Sequence, residues 1–258
     1  MRANYHNHTF RCGHAIGKEE EYLKRAIDAG LEIFGFSDHA PYLFPGDYVS
    51  PSRMRIEEID SYFDTILGLR EKYKGQIKIP IGFEMEYYPK LFDRALEIYS
   101  RYPLDYLILG EHMIGNEGIS AINAFAPTDS IMTLRSFVDY CINALRTEKF
   151  SYVCHPDNIN FTGEDGIYVD EMSRLIEECN RLCVPLEINL LGMRSGRHYP
   201  KALFWETAGK LGATAVLGFD SHDPRHVAVE SEIEKGIAFA EKHGLKLLDE
   251  IELKSPFI

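Results

Sequence analysis

The chain has 258 residues, enough to bury a sizeable core, and an ordinary globular composition of 45% hydrophobic, 26% charged and 12% aromatic residues. No run of about 18 apolar residues occurs, so a membrane-spanning helix is excluded. With 40 acidic against 28 basic residues the formal net charge is −12, a field that repels polyphosphate chains and argues against nonspecific nucleic-acid binding unless bound cations reverse it locally.

The sequence opens without a basic segment followed by an apolar stretch, so no secretory signal is expected. The five cysteines (Cys12, Cys141, Cys154, Cys179, Cys183) form no even framework and suit a reducing cytoplasm.

In chain order, a β-rich run at 3–8 carries His6 and His8 and leads to His14 in a loop. A helix over 18–30 follows, with Tyr22, Leu23, Ala26 and Ile27 as its apolar stripe and Gly30 placed to end it. The run at 33–37 leads to Asp38 and His39, then to a long Pro- and Tyr-rich loop, 40–54, of the kind that forms lids or specificity elements. The helix over 55–74 shows Ile56, Ile59, Phe63, Ile66 and Leu69 on one face.

A strand over 77–84 ends in Glu84, and after a helix over 90–101 the strand at 105–110 runs into Glu111 and His112. A second loop, 116–128, is placed to bound a pocket. Helix 130–147, strand 151–155 ending at His155, and helix 168–182 follow, with Cys179 and Cys183 as small core residues. Strand 185–189 holds Glu187 and Asn189 and is followed by Arg194 and Arg197. Helix 201–211, strand 215–219 with Asp220 and His222 beyond it, and helix 226–243 complete the pattern.

Strand–helix alternation with no linker predicts one domain, 1–258, with a parallel sheet covered by helices. Barrel and doubly wound sheet both satisfy the pattern. No glycine-rich phosphate fingerprint follows the first strand, which disfavours a dinucleotide-binding fold, and a barrel-like α/β domain is favoured.

Seven of the ten histidines fall at or just beyond strand ends, whereas His198, His226 and His243 look ordinary. In a closed parallel barrel those ends meet at one face, and His-x-His or Asp-x-His can aim two side chains at one centre. Singly, each residue has a bland reading: a solvated loop imidazole for His14, a salt bridge for Glu84. Their joint placement points to a polynuclear metal site. Imidazoles with a few carboxylates suit zinc, iron or manganese rather than calcium or magnesium, and Cys12 and Cys154 are further soft donors. In a regular strand Cys154 points away from His155.

The motifs "HNH", "CGH", "SDH", "GFE", "EH", "CHPD" and "DSH" resemble the PHP (polymerase and histidinol phosphatase) superfamily over essentially the whole chain. "FRCGHA", "GFSDHAP", "GFEMEYYP" and "EINLLGMRSGRHYP" are most similar to its stand-alone histidinol-phosphate phosphatases. The resemblance implies a distorted (β/α)7 barrel holding three divalent metal ions. It assigns His6, His8, Glu84 and Asp220 to the first, Glu84, His112 and His155 to the second, and His14, His39 and His222 to the third. All nine positions carry an expected ligand type. Gly110 and Glu111 before His112, and Pro156, Asp157 and Asn158 after His155, depart from the family pattern.

The implied activity is hydrolysis of L-histidinol phosphate to L-histidinol in histidine biosynthesis, with Glu84, Asp220 and His222 as catalytic residues and Asp220 as candidate acid. No Cys or Ser nucleophile elbow is visible, so direct attack by a metal-activated hydroxide is expected. Phosphate calls for a guanidinium, and Arg194 and Arg197 are the candidates. The alternatives are another small phosphate ester or phosphotyrosine, a nucleotide phosphodiesterase or exonuclease, and a metal-holding module without turnover. The expected partner is a small-molecule ester, with no nucleic acid and no membrane.

Overall fold

The computed structural model describes residues 1–257. Its elements are β1 (Ala3–Asn4), α1 (Glu19–Asp28), β2 (Ile33–Phe34), β3 (Phe36–His39), α2 (Ile59–Lys72), β4 (Ile81–Met85), α3 (Phe92–Tyr99) and β5 (Tyr106–Leu109). There follow β6 (Met113–Asn116), β7 (Ser120–Asn123), α4 (Ile131–Leu145), β8 (Tyr152–Val153), α5 (Asp165–Arg181) and β9 (Leu186–Asn189). The rest are α6 (Leu190–Arg194), α7 (Ala202–Lys210), β10 (Thr214–Gly218), α8 (Glu230–Lys242) and β11 (Lys246–Leu247).

Seven strands form one sheet in the order β11-β10-β9-β8-β5-β4-β3, every neighbouring pair parallel. β1 pairs with β2, and it and the residues after it lie between β3 and β10 of that sheet. Ser37 N–H donates to Asn7 O at 2.9 Å and His8 N–H to Ser221 O at 3.0 Å. The Asn4 side-chain amide donates to Leu217 O at 3.0 Å. A few bonds therefore hold the seam where a full ladder would run, and this is the distortion of the α/β barrel. Tyr106 fills the interior, with its hydroxyl 2.6 Å from Tyr5 O.

The helices form for the reasons the pattern suggested. In α4, Ser130 caps the N-terminus by accepting from Thr133 N at 3.2 Å. Its buried face is Leu134, Phe137, Val138, Cys141, Ile142 and Leu145, and it packs on α5. Each large side chain there contributes on the order of 1.5–3 kcal/mol by leaving water. Among the described residues no helix is long and apolar enough to cross a membrane.

Several boundaries differ from the sequence reading. The first strand is regular only over Ala3–Asn4; beyond it the backbone makes an isolated parallel bridge, Asn7 to Ser221, in place of a ladder. The segment read as a loop at 116–128 contains the turn and second strand of the antiparallel β6–β7 hairpin, a strand that is exposed throughout and so carries no burial alternation. Cys183 lies beyond α5 at φ +54 and is exposed, so it is not a core residue. β11 and α6 were not anticipated.

Candidate metal centre

Glu84 ends up at the middle of the barrel mouth, 1% exposed. Its Oε2 lies 3.5 Å from His6 Nε2, 3.5 Å from His8 Nε2 and 2.9 Å from His39 Nδ1. Its Oε1 lies 3.2 Å from His112 Nε2 and 2.8 Å from His155 Nε2. Asp220 Oδ1 stands 3.6 Å from His6 Nε2, 3.2 Å from His8 Nε2 and 3.3 Å from His222 Nδ1. His14 joins through stacked rings, its centroid 4.6 Å from that of His222. All nine positions singled out in the sequence thus meet at one face.

Two glycines make room for this charge. A Cβ on Gly110 would stand 2.2 Å from Glu84 Oε1, and one on Gly218 would stand 2.1 Å from the Glu187 carboxylate. Gly110, a departure from the family pattern, is thereby a steric requirement of the site. His155 (φ +29) and Asp220 (φ +48) hold left-handed backbone, a strain of about 1–3 kcal/mol each that clusters at functional sites.

The turn at His155 also overturns the alternation expected for Cys154. Strand β8 ends at Val153, and Cys154 Sγ lies 3.3 Å from the same Glu84 Oε1 that His155 reaches. Both neighbours therefore face one carboxylate.

The donor set fits divalent cations. Donor atoms fall into compact groups that include His6–His8–Asp220, His14–His39–His222 and His6–Glu84–Cys154–His155. His6 Nε2, His8 Nε2, His222 Nε2 and Glu84 Oε2 are buried without a hydrogen-bond partner, a costly state unless something binds them. Ligands 2.0–2.1 Å from a tetrahedral zinc stand about 3.4 Å apart, close to the nitrogen–oxygen separations just given.

The electrostatics agree with that reading. Burial pushes the Glu84 carboxyl up, but the surrounding imidazoles, His112 first, hold it well below the usual carboxylate range. Asp220 is held low in the same way by His6, His8 and His222. Burial pulls His8 down, yet the adjoining carboxylates of Asp220, Asp38 and Glu84 raise it to about 9. Burial lowers His39 to about 4 despite Glu84.

A ring of supporting groups orients the imidazoles through their second nitrogens. His6 Nδ1 lies 2.9 Å from Glu187 Oε2, His8 Nδ1 3.4 Å from Asp38 Oδ1, and His112 Nδ1 2.9 Å from Glu86 Oε1. His14 Nδ1 lies 2.9 Å from Cys12 O. Asn189 donates to Asp220 Oδ2 at 3.0 Å. The sequence reading missed Glu86, although its spacing of two from Glu84 puts both on one face of a strand. It also missed Arg53, for which no local signal existed.

The other candidates separate clearly. Glu111 turns away: its Oε2 accepts from Tyr87 N at 2.9 Å, and burial raises its carboxyl well above the usual range. Asp157 accepts from Trp205 Nε1 at 3.0 Å and from Lys201 N, pinning the loop that carries Arg197 and Tyr199. Burial pushes Asp157 up to about 7. His198 Nε2 meets Asn158 O at 2.7 Å, and His226 and His243 lie off the centre.

The centre opens into a cavity of about 400 Å³ whose walls include Arg53, Phe125, Arg197 and Tyr199. Ser52 and Asn123 also line it, so both loops singled out as pocket boundaries reach it. Arg197 bonds the Tyr199 hydroxyl and lies 5.9 Å from the Phe125 ring centroid. Arg194 is not among the lining residues; its guanidinium is held by Glu232 at 2.7 Å.

The profile of the PHP domain matches residues 4–189. The chain belongs to the PHP domain family. This PHP chain is 26% identical over 230 residues to a Deinococcus radiodurans protein named "Probable histidinol-phosphatase", the match covering 86% of each. A Schizosaccharomyces pombe protein of the same name is 27% identical over 286 residues, covering 98% of this chain and 90% of its own. The crystal structure of histidinol phosphate phosphatase from Lactococcus lactis, complexed with zinc, L-histidinol and phosphate, aligns with a TM-score of 0.74. That alignment has 20% identity and covers 97% of this chain and 98% of the other, so the PHP chain shares its fold.

Proposed function

We propose that this phosphatase hydrolyses L-histidinol phosphate to L-histidinol and phosphate. The observation that carries the reading is one carboxylate, Glu84, shared by five imidazoles at the floor of a cavity that also presents the Arg197 guanidinium, bonded to Tyr199 and not to a carboxylate. The names of the two relatives support the substrate, and the cavity volume is in the range of small-ligand pockets.

His6, His8, Glu84 and Asp220 would hold one divalent cation, Glu84, His112 and His155 a second, and His14, His39 and His222 a third, with zinc, manganese or iron suiting these donors. Bound there, such cations lower the pKa of a water toward neutrality and neutralise phosphate charge. Asp220, with Oδ1 3.2–3.6 Å from His6, His8 and His222, is the carboxylate placed to hold or move a proton beside those cations. Arg53 has every donor nitrogen engaged by protein acceptors, whereas Arg197 bonds only Tyr199 among protein groups, so Arg197 is the arginine assigned to the phosphate. Phe125 and Tyr199, with ring centroids 5.9 Å apart, offer flat faces to an imidazole.

The test is phosphate release by zinc- or manganese-loaded protein from L-histidinol phosphate, other small monoesters, phosphotyrosine and a dinucleotide. A kcat/KM above about 10⁴ M⁻¹s⁻¹ for histidinol phosphate, well ahead of the panel, is expected. Faster turnover of another monoester would leave the phosphatase standing and remove this substrate. Preference for the dinucleotide would move the chain to the phosphodiesterase reading, which the acidic surface charge disfavours.

A further inference from the structure

One arginine joins the metal face to the two segments that wall its cavity. Arg53, from the long loop after β3, has a side chain 4% exposed and forms ion pairs with Glu86 and Glu117. Its Nη1 and Nη2 grip Glu86 at 2.8 and 2.9 Å. Nη2 and Nε also grip Glu117 Oε2 at 2.6 and 3.0 Å. Nη1 donates to Ala40 O at 3.1 Å, tying the start of the loop to its end. Glu117 sits in the turn between β6 and β7, and its other oxygen accepts from Tyr48 at 2.8 Å and Ser50 at 2.6 Å, both on the same loop. Glu86 Oε1, one of the atoms Arg53 holds, is also the partner of His112 Nδ1 at 2.9 Å.

We propose that Arg53 is a positioning residue for His112, and that the 40–54 loop, the β6–β7 turn and metal retention at His112 form one coupled clasp. The argument is geometric. His112 Nε2 is aimed at Glu84 only while Glu86 fixes the ring, Glu86 is fixed by Arg53, and Arg53 is anchored by Glu117 and the loop. A guanidinium can grip one carboxylate with two parallel bonds while serving the other, because its donors form a rigid planar fork that a compact ammonium lacks. Loosening the hairpin turn therefore frees the imidazole. Because linkage is reciprocal, a cation held through His112 must in turn favour the docked hairpin and loop. The elements that give the substrate cavity its walls thereby close most firmly around a loaded centre.

This inference rests on reading His112 as a metal ligand, and its test involves no substrate. Glu117→Gln removes the anchoring charge while nearly keeping the side-chain shape, at a buried side chain in the turn that joins β6 to β7. Stepwise zinc affinities are measured by competition with a chelator, and hydrogen exchange is followed over 40–54 and 113–123 with and without zinc. Outer partners of metal-ligating histidines typically carry 10–100-fold in affinity, so roughly tenfold weakening of one binding step with the others unchanged is expected. Zinc should slow exchange in both segments of the natural chain, and less in the variant. Arg53→Lys should show the same single-step loss; if it does not fold, Glu117→Gln decides alone. Unchanged zinc affinities in Glu117→Gln, or exchange over both segments indifferent to zinc, would overturn the clasp. Equal weakening of every step would also overturn it, since that marks general destabilisation.

Discussion

The two ends of the barrel carry cavities of opposite character. At the N-terminal ends of the strands lies the larger, about 840 Å³, lined by residues such as Tyr5, Ile33, Lys78 and Leu253. At the C-terminal ends lies one of about 400 Å³. The larger end has half-exposed ion pairs such as Arg70–Asp105, with side chains 35% and 38% exposed, and Asp105 also accepts from Ile81 N at 2.8 Å. The smaller end has fully buried imidazoles with unpartnered nitrogens, two residues in left-handed backbone and carboxylates pressed against glycines. Volume thus says little about where chemistry happens. Unsatisfied donors held by strained backbone say much more, because folding alone would select against them.

Substitutions at the two ends should separate them steeply. Glu84→Ala leaves five imidazoles without their shared anion; metal content measured after gel filtration should fall, and kcat/KM should drop by more than the roughly 10²–10³ of a single electrostatic contact. Near-normal metal content would break the view of Glu84 as the hub. Arg53→Ala leaves Glu86 and Glu117 buried without their partner, a loss of about 3–5 kcal/mol that should lower the thermal midpoint by on the order of 10 °C. A shift of only a degree or two would mean that water replaces the guanidinium at little cost.

Arg197→Ala removes one charged contact, about 1.5–3 kcal/mol, so kcat/KM should fall about 10- to 100-fold while metal content holds. Normal kinetics would take Arg197 out of the phosphate site, and Arg194→Ala is the control that should leave kinetics alone. Smallest of all, Arg70→Ala at the opposite end should change stability by less than about 1 kcal/mol and leave kcat/KM unaltered. A kinetic effect there would mean that the two ends communicate.

The convergence of the nine candidate residues was legible because each sits at or just past the end of an apolar run, and parallel strands bring such ends together. What sequence could not convey was orientation. The placing of Cys154 beside His155 depends on a single positive φ at a strand end only two residues long. Arg53 and Glu117, 64 positions apart, meet only because a loop and a hairpin dock, and neither segment has a periodicity that reports its partner. Gly110 and Asp157 read as departures from a family pattern, yet one makes space for Glu84 and the other anchors the Arg197 loop. Arg194 and Arg197 look equivalent in the sequence, and the ion pair of Arg194 to Glu232 and the place of Arg197 in the cavity wall distinguish them.

The seam of the barrel has a consequence for how the molecule is made. Asn4 bonds to Leu217, 213 positions away, and His8 N–H finds its acceptor on Ser221. During synthesis the His-x-His segment emerges more than 200 residues before these partners. Contacts of such long range are slow to form, and the first strand must wait, unpaired on one edge, until β10 has left the ribosome. The residues around His6 and His8 are therefore among the last to find their place, and no nascent fragment short of Asp220 and His222 brings all nine candidate residues together.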